Sequence, residues 1–187
     1  MSVVKDARRP AGLLDELGIT RMGAIAVVII VALALQSTVL NRATLLGVIP
    51  QVLLVVLVSF AYLDGERVGA ATGFFGGLLQ DFLIVGSIVG LYALVYTLVG
   101  FAVGSFRKYA PAESVWTPVL IVMVASGAAE FGYAILNILM GQRWVSLGYT
   151  AKVGGLVVLY NTLLTPFVFP LVRRVADRFR PERVHQW

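Results

Sequence analysis

Six apolar stretches, each close to the length that crosses a bilayer, constrain this chain more than any other feature. They run from Met22 to Leu40, Leu45 to Leu63, Val68 to Val85, Ile88 to Phe106, Trp116 to Met140 and Val153 to Val172. A helix needs about 20 residues to span a hydrocarbon core about 30 Å thick. Lipid offers no partner to backbone N–H and C=O groups, so each crossing segment has to satisfy its own, as a helix does. The expected fold is therefore all-α, a polytopic membrane protein of six transmembrane helices. Only 13% of the residues are charged and 59% are hydrophobic, whereas soluble domains carry about a quarter charged residues.

The segments divide the chain into an N-terminal arm (1–21), a six-helix domain (22–172) and a basic tail (173–187). An even number of crossings puts both termini on one side. That side carries Lys5, Arg8, Arg9, Arg21, Arg67, Arg107 and Lys108 together with the tail arginines Arg173, Arg174, Arg178, Arg180 and Arg183. The other carries Arg42, Arg143 and Lys152. Lysine and arginine stay with the cytoplasm, so both termini are expected there. Tyr62, Tyr109 and Trp116 then fall at the inner interface, and Trp144 and Tyr149 at the outer one. The net charge of +5 sits beside apolar segments, which points to anionic lipid headgroups and excludes nucleic acid as a partner. A cleaved signal peptide ending at Ala32-Leu33-Ala34 fits less well, because the apolar run continues to Leu40.

Chemistry is sparse. There is no cysteine and one histidine, His185, in the tail. Disulfides and thiolate metal sites are therefore excluded. No Ser/His/Asp set, metal-binding histidine pair or phosphate loop occurs, so no cofactor, metal or catalytic residue is expected.

The stretch from Gly65 to Gly104 holds nine of the nineteen glycines. Gly69, Gly73 and Gly77 recur every fourth residue, which on a helix clears one stripe of side chains for a neighbour's close approach. Asp81 follows four residues later and extends the stripe. The next segment carries Gly86 and Gly90 at its start, Tyr92 and Tyr96 one turn apart, and Gly100 and Gly104 at its end. Gly69, Gly73, Gly77, Gly100 and Gly104 are expected to be packing positions of two buried helices.

Asp81 and Glu130 are the two charges inside spans, and a charge at that depth turns to the bundle interior. Asn137 shares a helical stripe with Glu130, along with Ser126, Gly127, Tyr133 and Ala134. Counting residues from the span ends places Gln36, Gln51, Asp81, Glu130, Asn137 and Asn161 toward the outer side, as one expected polar cluster. Such groups can hydrogen-bond one another and set helix positions, dock a partner's transmembrane helix, or hold a ligand. The first reading is favoured. Pro50, Pro166 and Pro170 are expected to bend their spans.

The run Gly73-Phe74-Phe75-Gly76-Gly77-Leu78-Leu79-Gln80-Asp81-Phe82-Leu83, followed by Gly90-Leu91-Tyr92-Ala93-Leu94 and Gly100, resembles the central signature of the MreD family of bacterial rod-shape-determining inner-membrane proteins. Asn161-Thr162-Leu163-Leu164-Thr165-Pro166 matches that family's Asn and Pro in the last span. The resemblance covers most of the chain and implies a non-enzymatic subunit of the peptidoglycan elongation machinery. Its implied partners are MreC, RodA with its class B penicillin-binding protein and, where present, MreB. It also implies a fold similar to the substrate-binding subunits of energy-coupling-factor vitamin transporters.

Two rival functions follow. A vitamin-capturing transporter subunit would carry an Ala-x-x-x-Ala spacing in the first span, yet Ala24, Ala26, Ala32 and Ala34 never fall four apart. A magnesium-dependent phosphatidyltransferase is faintly suggested by Asp64-Gly65, Gly77 and Asp81. One intramembrane carboxylate there cannot build the oxygen shell such a metal needs, and Val85 stands where a further aspartate belongs.

Overall fold

A computed structural model describes residues 18–40, 47–84, 88–109, 116–141 and 147–179, and every regular element among them is a helix. Helix α1, Ile19–Leu35, continues as a π-helical turn, Gln36–Leu40. Then come α2, Val52–Asp64; α3, Glu66–Leu83; α4, Leu91–Phe106, ending in a 3₁₀ turn, Arg107–Tyr109; α5, Trp116–Leu139; and α6, Leu147–Arg178. Three stretches, Ile19–Leu40, Trp116–Leu139 and Gly148–Arg178, are long and apolar enough to cross a membrane.

The second apolar segment departs from its expected bounds of 45 to 63. Its helix has 13 residues, about 20 Å of rise. Proline at position 50 has no N–H and steers Ile49 away from helical geometry, and Gly47 has φ +79°. The chain therefore turns helical only at Val52. Pro50 precedes the helix and bends nothing within it. Pro166 and Pro170 lie inside a single uninterrupted α6.

Helix α2 is apolar on every side, which marks a helix buried on every side. All residues from Val52 to Ala61 are buried, and α2 packs against α1, α3, α4, α5 and α6. The other five surround it in the order α1, α3, α4, α5, α6, with α6 returning to touch α1 lightly. Successive helices run antiparallel: Arg21 at the start of α1 pairs with Asp64 at the end of α2, while Gln36 beyond the end of α1 meets Leu53 at the start of α2. α6 also begins before and ends after its expected span. Val172 and Ala176 of its last turns join the core, leaving Arg173, Arg174 and Arg178 exposed on the opposite side. Arg180 and Arg183 lie outside the described residues.

Candidate functional site

Helices α3 and α4 approach each other backbone to backbone. A Cβ added at Gly69 would meet Gly100, one at Gly73 would lie 2.8 Å from Thr97 N and closer still to Tyr96, and one at Gly77 would lie 2.6 Å from Ala93 Cα. A Cβ at Gly104 would strike the backbone of Gly65 and Glu66. Each step of four residues along α3 is thus matched by a step of four back along α4. Because side chains four apart share one helix face, the two glycine sets form a ladder with its rungs one turn apart.

Asp81 occupies the rung after Gly77, where α4 has run out. A helix start leaves its first N–H groups without intrahelical partners. Gly90, at the cap position of α4 with φ +102°, has no side chain to offer. Asp81, 2% exposed, supplies the cap from the neighbouring helix: Gly90 N and Ala93 N donate to Oδ2 at 2.9 and 3.1 Å, and Tyr92 N to Oδ1 at 3.2 Å. The negative carboxylate also suits the positive end of the helix dipole.

The start of α2 is completed in the same way. Gln51 N donates to Asn161 Oδ1 of α6 at 3.0 Å, and Leu53 N donates to Gln36 Oε1 at 3.1 Å. These amides are themselves tied down. Asn161, with no exposed surface, donates to Ser126 Oγ of α5 at 3.0 Å, and Gln36 Nε2 donates to Gln80 Oε1 at 3.2 Å. The Gln51 side chain links α4 and α5, donating to Glu130 Oε1 at 2.5 Å and accepting from Tyr96 Oη at 3.1 Å.

Of the six residues expected in one cluster, the structure joins Gln36, Gln51, Glu130 and Asn161 to the start of α2. Asp81 is turned instead to the start of α4. Among the described residues Asn137 bonds only its own helix: its amide donates to the carbonyl of Tyr133, one turn back, at 3.0 Å. Two participants in the network, Gln80 and Tyr96, and one ion pair, Arg21–Asp64, are not picked out by the sequence. Gln80 passes as part of the Asp81 signature, although about 100° of helix separates adjacent side chains. Tyr96, noted in the sequence only as one turn from Tyr92, is fully buried with its hydroxyl in the network. Arg21 and Asp64 read as charges flanking spans, yet they form an ion pair with side chains 7% and 4% exposed. Their positions at facing ends of α1 and α2 are the signal that pairs them.

Beside this network lies a cavity of about 300 Å³ bounded by Leu33, Gln36, Ser37, Gln51, Gln80 and Tyr92 among others. An apolar groove of about 720 Å³ separates parts of α4 and α5. Among the described residues no group of three or more His, Cys, Asp or Glu could hold a metal. The arrangement positions helix ends.

Neither a curated protein nor a solved structure matches the chain. The family model described as rod shape-determining protein MreD matches residues 18–175, a range that takes in all six helices except the last residues of α6. This is a membrane protein of the MreD family of rod shape-determining proteins.

Proposed function

We propose that this protein is a non-enzymatic scaffold of the bacterial inner membrane. It crosses six times with both termini in the cytoplasm, binds MreC and helps to organise RodA and its class B penicillin-binding protein in the peptidoglycan elongation complex. The family match carries this reading. Six crossings are supported by the way α2 and α4 begin. A backbone N–H that starts within a bilayer needs a protein acceptor, and Asp81, Asn161 and Gln36 provide them. The excess of Lys and Arg at the Arg21 end supports a cytoplasmic location for that end.

Assembly rather than chemistry suits the polar interior, whose side chains are occupied in fixing one helix against another. Arg173, Arg174 and Arg178 are exposed, and with Arg180 and Arg183 they would face anionic headgroups or MreB. Crosslinking the native protein in membranes and identifying its neighbours tests the proposal. Recovery of MreC and the synthase pair is the expected result. Their consistent absence, with other envelope proteins recovered, would overturn it.

A further inference from the structure

Helix α4 meets its two neighbours differently. Against α3 it meets glycine after glycine, and the two backbones close up. Toward α5 it presents Val95, Val99 and Val103, four apart and so on one face, opposite Ala125, Ala128 and Gly132. Branched valines facing such small residues leave space that neither helix fills. The helices touch near the start of α4, where Tyr92 stacks on Tyr133 at 4.1 Å and a Cβ on Gly132 would lie 3.7 Å from Val95 Cγ1. Between them an apolar groove of about 720 Å³ extends as far as Phe106. Its floor is buried at Val95, Val99, Val103 and Ala125, whereas Leu98, Phe106, Leu120 and Val124 on its rims are exposed. Water finds no partners along such walls.

The groove has the depth of one leaflet. From Phe106 to Leu94 the α4 wall covers about 18 Å of rise, and the chains of one leaflet fill about 15 Å, half of the hydrocarbon core. At the Phe106 end its chemistry changes. The Phe106 ring lies 6.5 Å from that of Tyr109, and Lys108 Nζ stands 5.2 Å over the Tyr109 ring. Both Lys108 and Tyr109 are exposed, while Arg107 reaches the other way, toward Gly65. Trp116, also exposed, is one turn before Leu120 and shares its face. Between Tyr109 and Trp116 the sequence adds one charge, Glu113, against the two of Arg107 and Lys108. Tyr and Trp gather where hydrocarbon gives way to headgroups, and a lysine at that level attracts anionic lipid. A cation and two amphipathic rings at the mouth of an apolar trough match an anionic head on a hydrocarbon chain. An apolar helix would match the walls and not the lysine.

We propose that the groove between α4 and α5 binds one anionic glycerophospholipid, of the phosphatidylglycerol kind. One acyl chain lies along Val95, Val99 and Val103, and the phosphate sits against Lys108 beside Tyr109 and Trp116. The lipid fills the bundle where its own side chains do not. The site requires only that the bundle lies in a bilayer, so its failure would leave the scaffold reading, which crosslinking tests, untouched.

The test uses the full-length protein in a polyoxyethylene detergent. Dioleoyl phosphatidylglycerol and dioleoyl phosphatidylethanolamine are titrated separately, and bound lipids are counted by native mass spectrometry. One saturable phosphatidylglycerol adduct is expected, held about fivefold more tightly than phosphatidylethanolamine, the worth of one lysine at an anionic surface. Lys108→Gln should remove that preference. Ala128→Phe, which fills the groove from an exposed position on the α5 wall, should abolish the adduct, and Ala102→Phe should do the same from the α4 wall if the first variant does not fold. Equal binding of the two lipids, a preference that survives Lys108→Gln, or no saturable adduct would each overturn the proposal. So would an adduct unchanged by the groove substitutions, as one held by the exposed Arg173 and Arg174 would be. A dimer that excludes lipid and is lost in Ala128→Phe would overturn it too, by giving the groove to a second copy of the chain.

Discussion

Removing the Asp81 carboxylate should unfasten the start of α4. In Asp81→Ala three N–H groups lose their acceptor at once, those of Gly90, Tyr92 and Ala93. Water can reach Gly90, which is half-buried, but Ala93 is 2% exposed and Tyr92 is packed at 4.1 Å against Tyr133. A hydrogen bond to a charged acceptor contributes about 1.5–3 kcal/mol, and an N-cap about 0.5–2 kcal/mol. With one of the three donors recovered by solvent, the expected loss is about 3–4 kcal/mol. Asp81→Asn retains one acceptor oxygen and sets an NH₂ group against a backbone donor, so it should lose about half as much. Unfolding by titration with a denaturing detergent, followed by circular dichroism, measures both, and amide exchange at Tyr92 and Ala93 localises the change. An alanine variant within about 0.5 kcal/mol of the parent, less than a single neutral hydrogen bond, would refute the capping argument. If that variant also lost its partners in the membrane, Asp81 would be a docking residue instead.

Gly73→Ala should cost about 1–3 kcal/mol or more, because the added methyl meets the Tyr96–Thr97 backbone, which cannot turn aside. Gly76→Ala should change stability by less than about 1 kcal/mol, since its nearest neighbour is Leu53 Cδ1 at 3.4 Å and alanine favours a helix; equal effects in thermal melts would contradict the ladder. Asp64→Ala should destabilise by about 3–5 kcal/mol by leaving the Arg21 guanidinium buried, and Arg21→Met with Asp64→Leu should recover much of that loss; a double variant worse than Asp64→Ala would reject this account. Asn161→Leu frees Gln51 N and Ser126 Oγ and should lose about 2–3 kcal/mol, whereas Asn137→Leu, whose amide bonds only its own helix among the described residues, should lose less than about 1 kcal/mol. Reversal of that order would count against the trans caps.

The glycine ladder was legible because spacing carries it: residues four apart face one way on any helix, and a stripe without side chains can serve only close approach. Counting from span ends groups Gln36, Gln51 and Asn161, and in the structure Asn161 accepts from Gln51 N while Gln36 accepts from Leu53 N, both at the start of α2. Sharing a stripe with Glu130 does not bring Asn137 to the start of α2: it lies seven residues, about 10 Å of rise, further along α5, and its amide bonds back to Tyr133. Hydropathy likewise registers that residues 45–63 are apolar and not that Pro50 and Gly47 forbid a helix before Val52. Both signals were in the letters; averaging over a window erased them. The Arg21–Asp64 pair was obscured by a general rule, that charges at span ends meet water or headgroups, which gave way to the antiparallel contact of α1 with α2.

In a soluble protein a short helix can begin against water, and its first N–H groups need no help. A helix start packed within a bundle needs protein acceptors, and here they come from other helices: α3 caps α4, while α6 and the end of α1 cap α2. Apolar side chains cannot supply this coupling, since burying them against one another gains little over burying them in lipid. Few polar groups therefore have a large structural effect. Asp81, Asn161 and Gln36 satisfy the first N–H groups of two helices, and the glycine ladder sets how closely one of them lies against its neighbour. Because each cap comes from a different part of the chain, α2 and α4 reach their final ends only when the surrounding helices are in place. The interior of this bundle is thus a set of mutually dependent helix ends, and a substitution at any of them should be felt on a helix other than its own.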